Sequence, residues 1–176
     1  MNELSYSLWV GPSKDSDLYR KLKNLVSDLA KRFSSPVFEP HVTLIPEVKG
    51  SEDEIKDKAS QLAGLIKPYK ITLELVDYTD NLFQALVIRV KATRDVIEAN
   101  KKARDIFLGH GGTLYVPHLS VMYMTELDNE TKIQLIAEIE NQFKDQEFEA
   151  QSLQVWQASS DNIEGWKQVM EAPFNG

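Results

Sequence analysis

The chain contains no cysteine. Disulfides, thiolate nucleophiles and Cys-ligated zinc are excluded, and the composition suits a reducing compartment. Long apolar runs are missing too. Nothing approaches the roughly 20 consecutive apolar residues of a membrane helix, and Met1 to Tyr6 has no basic region followed by an apolar stretch. A cytoplasmic protein with no membrane partner is the expectation. Positive charge is in deficit, with 20 Lys and Arg against 27 Asp and Glu and a net charge of -7. Affinity for long nucleic acid comes from many Lys and Arg neutralising phosphates, so no extended nucleic-acid footprint is expected. A small phosphorylated ligand needs only a few local donors and stays compatible with this charge. Histidine is scarce as well, with His41, His110 and His118 the whole set.

What is present reads as one soluble globular unit over residues 1–176, expected to be a monomer. The 42% hydrophobic and 27% charged fractions suffice for a sizeable core. Leu4 to Val10 is strand-like. Asp17 to Phe33 carries Leu18, Leu22, Leu25, Val26 and Leu29 at helical spacing, with Ser16 as its cap. A strand follows Pro40 from Val42 to Ile45, and Ser51-Glu52-Asp53-Glu54 opens a helix to about Ile66. Strands are predicted over 71–78 and 83–90, a helix over 93–108, a strand after Pro117, a helix over 129–143, and closing strands over 148–157 and 166–172.

The chain reads as one unit written twice. Shifting it by 77 residues lays Pro40-His41-Val42-Thr43-Leu44 on Pro117-His118-Leu119-Ser120-Val121, with the predicted helices in step. Two copies are too few for a solenoid and point to paired lobes about a pseudo-twofold axis. The expected fold class is α+β, with two pseudo-symmetric lobes of antiparallel sheet and outer helices around a central cleft.

Residues i and i+2 of a strand share a face, so His41 points with Thr43 and His118 with Ser120. Four such groups facing one another across a cleft could surround a tetrahedral phosphate. Opening a cyclic diester needs a base to activate water and an acid to protonate the departing sugar oxygen. Two imidazoles with ordinary pKa near 6.5 supply both, and the scheme needs no metal or cofactor. His110, in Leu108-Gly109-His110-Gly111-Gly112, reads as a helix-end or loop residue. A zinc site made by the three histidines is set aside, since there is no H-E-x-x-H helix or close carboxylate. Tyr123 lies five residues beyond His118, on the opposite face unless a bulge or the strand's end reorients it. Trp9 and Trp156 read as core fillers, while Phe83 is kept as a candidate for contact with substrate.

These residues resemble the two-histidine (2H) phosphoesterase superfamily, in particular the plant and yeast type of cyclic phosphodiesterase. The similarity spans nearly the whole chain. It rests on Ser7-Leu8-Trp9, Pro40-His41-Val42-Thr43, Phe83-Gln84, Tyr115-Val116-Pro117-His118-Leu119-Ser120 with Tyr123, and Trp166-Lys167-Gln168-Val169. The resemblance implies the bilobal 2H fold. It also implies hydrolysis of ADP-ribose 1'',2''-cyclic phosphate, a compound arising at the end of tRNA splicing, to ADP-ribose 1''-phosphate, and of nucleoside 2',3'-cyclic phosphates to 2'-phosphates. By analogy His118 activates water, His41 protonates the leaving oxygen, Thr43 and Ser120 hold the phosphate, and Tyr123 helps place phosphate or water. The near symmetry of the sequence does not itself assign acid and base. An enzyme acting on RNA ends, and a binding module that has kept the cleft without catalysis, are the competing readings.

Overall fold

The computed structural model describes residues 4–79, 85–109, 114–123, 126–158 and 162–176. Among them eight strands and four α-helices form: β1 Ser5–Val10, α1 Asp17–Phe33, β2 Val42–Lys49, α2 Glu52–Ala63, β3 Tyr69–Tyr78, β4 Leu86–Val90, α3 Arg94–Phe107, β5 His118–Met122, α4 Asn129–Phe143, β6 Glu147–Ala150, β7 Ser152–Gln157 and β8 Lys167–Pro173. Each helix starts on a side-chain cap. Ser16, Ser51, Thr93 and Asp128 accept the backbone N–H three residues on, filling an otherwise orphan donor. The caps obey the repeat, since Ser16 and Thr93 are 77 residues apart, as are Ser51 and Asp128.

The strands join in one antiparallel sheet of order β6-β3-β4-β5-β2-β1-β7-β8. Strand β2, which begins directly after His41, and β5, which begins at His118, are its central pair. This joins the expected lobes edge to edge, and the seam is slight: β2 and β5 pair at Val42 and Leu119. The predicted strand over 148–157 is two strands, broken at Gln151. β6 pairs with β3 at one edge while β7 pairs with β1 near the other. A single linking residue spans only about 7 Å, so the sheet must curl until its edges approach. Packing agrees, with the Tyr69 and Phe174 rings 5.9 Å apart across that closure.

Period-two alternation sorts the strand residues into two sets. Tyr6, Leu8 and Val10 of β1, Leu86, Ile88 and Val90 of β4, and Leu119 and Val121 of β5 enter one core with the buried faces of the four helices. Their alternates Ser7, Trp9, Arg89, His118 and Ser120 line a cavity. Strand β2 runs four residues beyond the predicted Ile45, because Pro46 falls where the ladder to β1 slips register and needs no donor. Glu47 there takes φ 55°, in the left-handed region. Helix α2 stops at Ala63, three residues before the predicted Ile66, with the Gly64 N–H closing the last turn on Ser60 and Leu62. Among the described residues no helix is long and apolar enough to cross a membrane.

Candidate active site

Val42 pairs with Leu119, and antiparallel geometry sets the flanking residues against one another in turn. That places His41 across from Ser120 and Thr43 across from His118, on one face of the sheet. The four side chains occupy the corners of a quadrilateral, with the histidines on a diagonal. Diagonal neighbours in an antiparallel pair sit roughly 7–8 Å apart, so the imidazoles flank a space of about the size of a phosphate. All four residues line a cavity of about 830 Å³, within the roughly 300–1,000 Å³ typical of small-molecule sites.

Both imidazoles are oriented the same way. His41 Nδ1 lies 2.6 Å from the Glu39 carbonyl and His118 Nδ1 lies 2.8 Å from the Val116 carbonyl, a pair again related by the 77-residue shift. A carbonyl only accepts, so each Nδ1 carries the proton and each neutral Nε2 keeps its lone pair. Their surroundings differ. His41 is buried and lies on Trp9, with ring centroids 3.5 Å apart and planes 10° from parallel. Burial drives its pKa down to about 4, the nearby His118 adds to the fall, and the Glu39 carbonyl and carboxylate oppose it. His118 is partly exposed. Its pKa is also lowered, first by burial and then by Arg89, against the pull of the Val116 carbonyl. Arg89 is itself held by Asp77.

Paired bulges explain the cavity wall. Leu44 of β2 is skipped between the Leu8–Ile45 and Trp9–Thr43 pairs, and Val121 of β5 is skipped between the Leu86–Met122 and Val87–Ser120 pairs. These two residues are 77 apart. Each bulge inserts one residue and reverses the alternation beyond it, which brings Tyr123 back to the face of His118 and Ser120. Tyr123 is buried, stacks on Phe38 at 3.9 Å and shares a hydrogen bond with Ser120. Burial pushes its phenol pKa up.

A bulge leaves carbonyls without ladder partners, and three side chains supply them. Tyr115 donates to the Thr43 carbonyl at 3.0 Å, Asn100 to the Leu44 carbonyl at 2.7 Å and Ser7 to the Ile45 carbonyl at 3.2 Å. Ser7 and Tyr115 stand among the residues that carry the family resemblance, with no role assigned to them there, and Asn100 does not figure in it. The available signal was Asn100 on the buried stripe of α3 beside Val96, Ala99 and Ala103, where a polar side chain demands a partner. The aromatic floor was also missed. Trp9 is core, as expected, yet it stacks on His41 and on Trp156 at 4.7 Å, and Trp166 meets it edge-on at 5.4 Å. Of the predicted residues the structure brings together His41, Thr43, His118, Ser120 and Tyr123. Phe83 and His110 lie outside the described residues.

The model of the family described as cyclic phosphodiesterase-like protein matches residues 4–172. A cyclic phosphodiesterase of Arabidopsis thaliana is 32% identical over 127 residues, covering 72% of this chain and 68% of that protein. A 2',3'-cyclic-nucleotide 3'-phosphodiesterase of Yarrowia lipolytica is 28% identical over 108 residues, covering 58% of this chain and half of its own length. The fold is similar to that of TT0787 from Thermus thermophilus, with a TM-score of 0.67 at 10% identity over 98% of this chain and 99% of that one. It is similar too to E. coli LigT complexed with phosphate, with a TM-score of 0.60 at 14% identity over the full length of both.

Proposed function

The chain belongs to the cyclic phosphodiesterase-like family of 2H phosphoesterases, and from that premise we propose that it opens cyclic phosphates by two-histidine acid–base catalysis without a metal. The observation that carries this reading is the pair of Nδ1 bonds to the Glu39 and Val116 carbonyls. They leave two Nε2 lone pairs facing one space on the diagonal of a quadrilateral whose other corners are hydroxyls.

In the proposed reaction a cyclic phosphate sits between the imidazoles, with Thr43 and Ser120 donating to its non-bridging oxygens. One Nε2 takes a proton from water, whose oxygen forms the new bond to phosphorus. The opposite Nε2–H gives a proton to the sugar oxygen as its bond to phosphorus breaks. One proton is taken and one is given, so the pair ends in swapped protonation states. The family resemblance makes His118 the base and His41 the acid. Burial keeps His41 neutral in the empty site, so this assignment requires the anionic phosphate to bring the proton in with it.

The substrates proposed are ADP-ribose 1'',2''-cyclic phosphate, giving the 1''-phosphate, and nucleoside 2',3'-cyclic phosphates, giving 2'-phosphates. Support for the larger one comes from the cavity wall. Asn100 and Arg104 of α3 and Leu108 at its C-cap recur every four residues and line the same cavity, placing a cation about one helical turn from Asn100. Although the chain is acidic, two arginines and one carboxylate, Arg89, Arg104 and Glu47, are the charged residues of that lining. The relative from Yarrowia is named for 2',3'-cyclic nucleotides, and LigT binds phosphate and 3'-AMP. The deciding experiment assays ADP-ribose 1'',2''-cyclic phosphate beside the four 2',3'-cyclic nucleotides, with and without EDTA, and identifies products by phosphorus NMR. Turnover unaffected by EDTA and a 2'-phosphate product are expected. Loss in EDTA restored by zinc, or a 3'-phosphate product, overturns the reading.

A further inference from the structure

The two halves hold their histidines unequally. His118 is oriented by the carbonyl of Val116, whose side chain is exposed. His41 is oriented by the carbonyl of Glu39, and that residue is tied down at its other end. The Glu39 carboxylate accepts from the Tyr19 hydroxyl at 2.7 Å and from the Lys23 ammonium at 2.5 Å, both on α1. These three side chains are partly buried, so the ion pair is less screened than an ordinary surface pair. Burial alone would raise the pKa of Glu39. The bonds from Lys23 and Tyr19 outweigh it and keep the carboxyl below its usual range. Tyr19 is correspondingly pushed up to about 12, by burial and by its bond to Glu39.

On the neighbouring residues the same segment is clamped from the cavity side. Phe38 stacks on Tyr123, and His41 stacks on Trp9. Turning the Glu39 peptide would therefore break the bonds to α1 as well as the bond to His41. Nothing comparable is available at Val116, since valine offers no polar side chain.

We propose that Glu39 is a positioning residue, which uses Lys23 and Tyr19 of α1 to fix the peptide that orients the His41 imidazole, so that His41 is held rigidly while His118 adjusts to the substrate. The inference rests on the two-histidine reading above for its effect on turnover. Its effect on the imidazole can be measured without that reading. Orientation matters because displacing a reacting group by about 1 Å slows an enzyme by as much as 100-fold.

The test uses the full chain with Glu39→Ala, Glu39→Gln, Lys23→Met and the Lys23→Met/Glu39→Ala double variant, each confirmed as folded by circular dichroism. Glu138→Gln is the control, because it removes a different α1 contact, the 3.5 Å pair with Arg32. Expected on a 2',3'-cyclic nucleotide is a fall in kcat of about 10- to 100-fold for Glu39→Ala with KM changed less than about threefold. Glu39→Gln should recover part of it, since an amide oxygen still accepts from Tyr19, and the double variant should lose no more than Glu39→Ala alone. Glu138→Gln should match the parent. Nitrogen-15 NMR of the imidazoles should show His41 as the Nδ1–H tautomer in the parent and as a tautomer mixture in Glu39→Ala, with His118 unchanged. A folded Glu39→Ala variant with parental His41 resonances overturns the proposal, whether or not cyclic nucleotides are turned over. Altered His41 resonances with parental kcat overturn its catalytic consequence alone.

Discussion

His41 lies flat on Trp9, 3.5 Å between ring centroids, while its counterpart His118 has Arg89 for a neighbour. The indole shields one whole face of the imidazole from water. This shielding adds to the burial that lowers the pKa of His41 to about 4. Trp9→Leu should therefore raise the His41 pKa toward 6.5 and destabilise the fold by about 3 kcal/mol through the void left behind. Proton NMR titration and urea unfolding read the two effects. A His41 that still titrates near 4 beside Leu would assign the depression elsewhere.

The same burial links stability to pH. The folded pKa lies below the unfolded value of 6.5, so the unfolded chain binds the extra proton first as pH falls. The contribution of a neutral His41 is intact above pH 6.5 and disappears between there and pH 4, amounting to about 3 kcal/mol. Urea unfolding at pH 7 and pH 4 should show the parent losing about that much more than His41→Phe. Equal losses would contradict it.

Activity should carry the signature of two depressed imidazoles. The profile of kcat/KM against pH reports the free protein, and both its limbs should fall below pH 6.5. The profile of kcat reports the complex, where the phosphate's negative charge favours imidazolium, and its limbs should move to higher pH. The values belong to the pair, since the two sites interact. Profiles that coincide would mean that bound phosphate does not touch the imidazoles.

If Thr43 and Ser120 hold the phosphate as proposed, removing either hydroxyl deprives it of a donor, a loss of about 1.5–3 kcal/mol. Thr43→Val and Ser120→Ala should each lower kcat/KM by about 10- to 100-fold. Tyr123→Phe keeps the stack on Phe38 and the Ser120 hydroxyl while giving up the bond between the two hydroxyls, so its effect should be smaller than that of Ser120→Ala. Steady-state kinetics on one cyclic nucleotide ranks the three.

Arg104 should separate the substrates. Arg104→Met should reduce kcat/KM for ADP-ribose 1'',2''-cyclic phosphate about 10- to 100-fold through its diphosphate, and should change 2',3'-cyclic nucleotides less than about threefold. Equal losses on both would move Arg104 to the cyclic phosphate itself.

Much of the site was legible because it obeys local rules. Period-two alternation put His41 with Thr43 and His118 with Ser120, and the repeat joined the two pairs across the β2–β5 seam. Tyr123 was undecided, since the Val121 bulge that turns it inward comes from pairing with β4, and a bulge has no signature in one strand's sequence. Residues 148–157 form one strand by sequence pattern and two in the fold for a similar reason. Phe148 and Leu153 are both strand-forming, and only their partners β3 and β1 split them. Asn100 carries no signal of its role in sequence, and Tyr115 and Ser7 enter there only through the family resemblance, because the task of all three, satisfying the carbonyls of residues 44, 43 and 45, exists only once β2 has bulged.

The sequence by itself determined most of the elements, the caps at Ser16 and Ser51, the duplication and the identity of the four polar groups, all of which follow from periodicity and spacing along one chain. The tertiary structure decided what makes the two copies unlike. Residues distant in sequence set each imidazole's solvation: Trp9 over His41, Arg89 beside His118, and α1 behind Glu39. A pKa or a ring's rigidity depends on the atoms within a few ångströms in space, and only the folded chain brings those together.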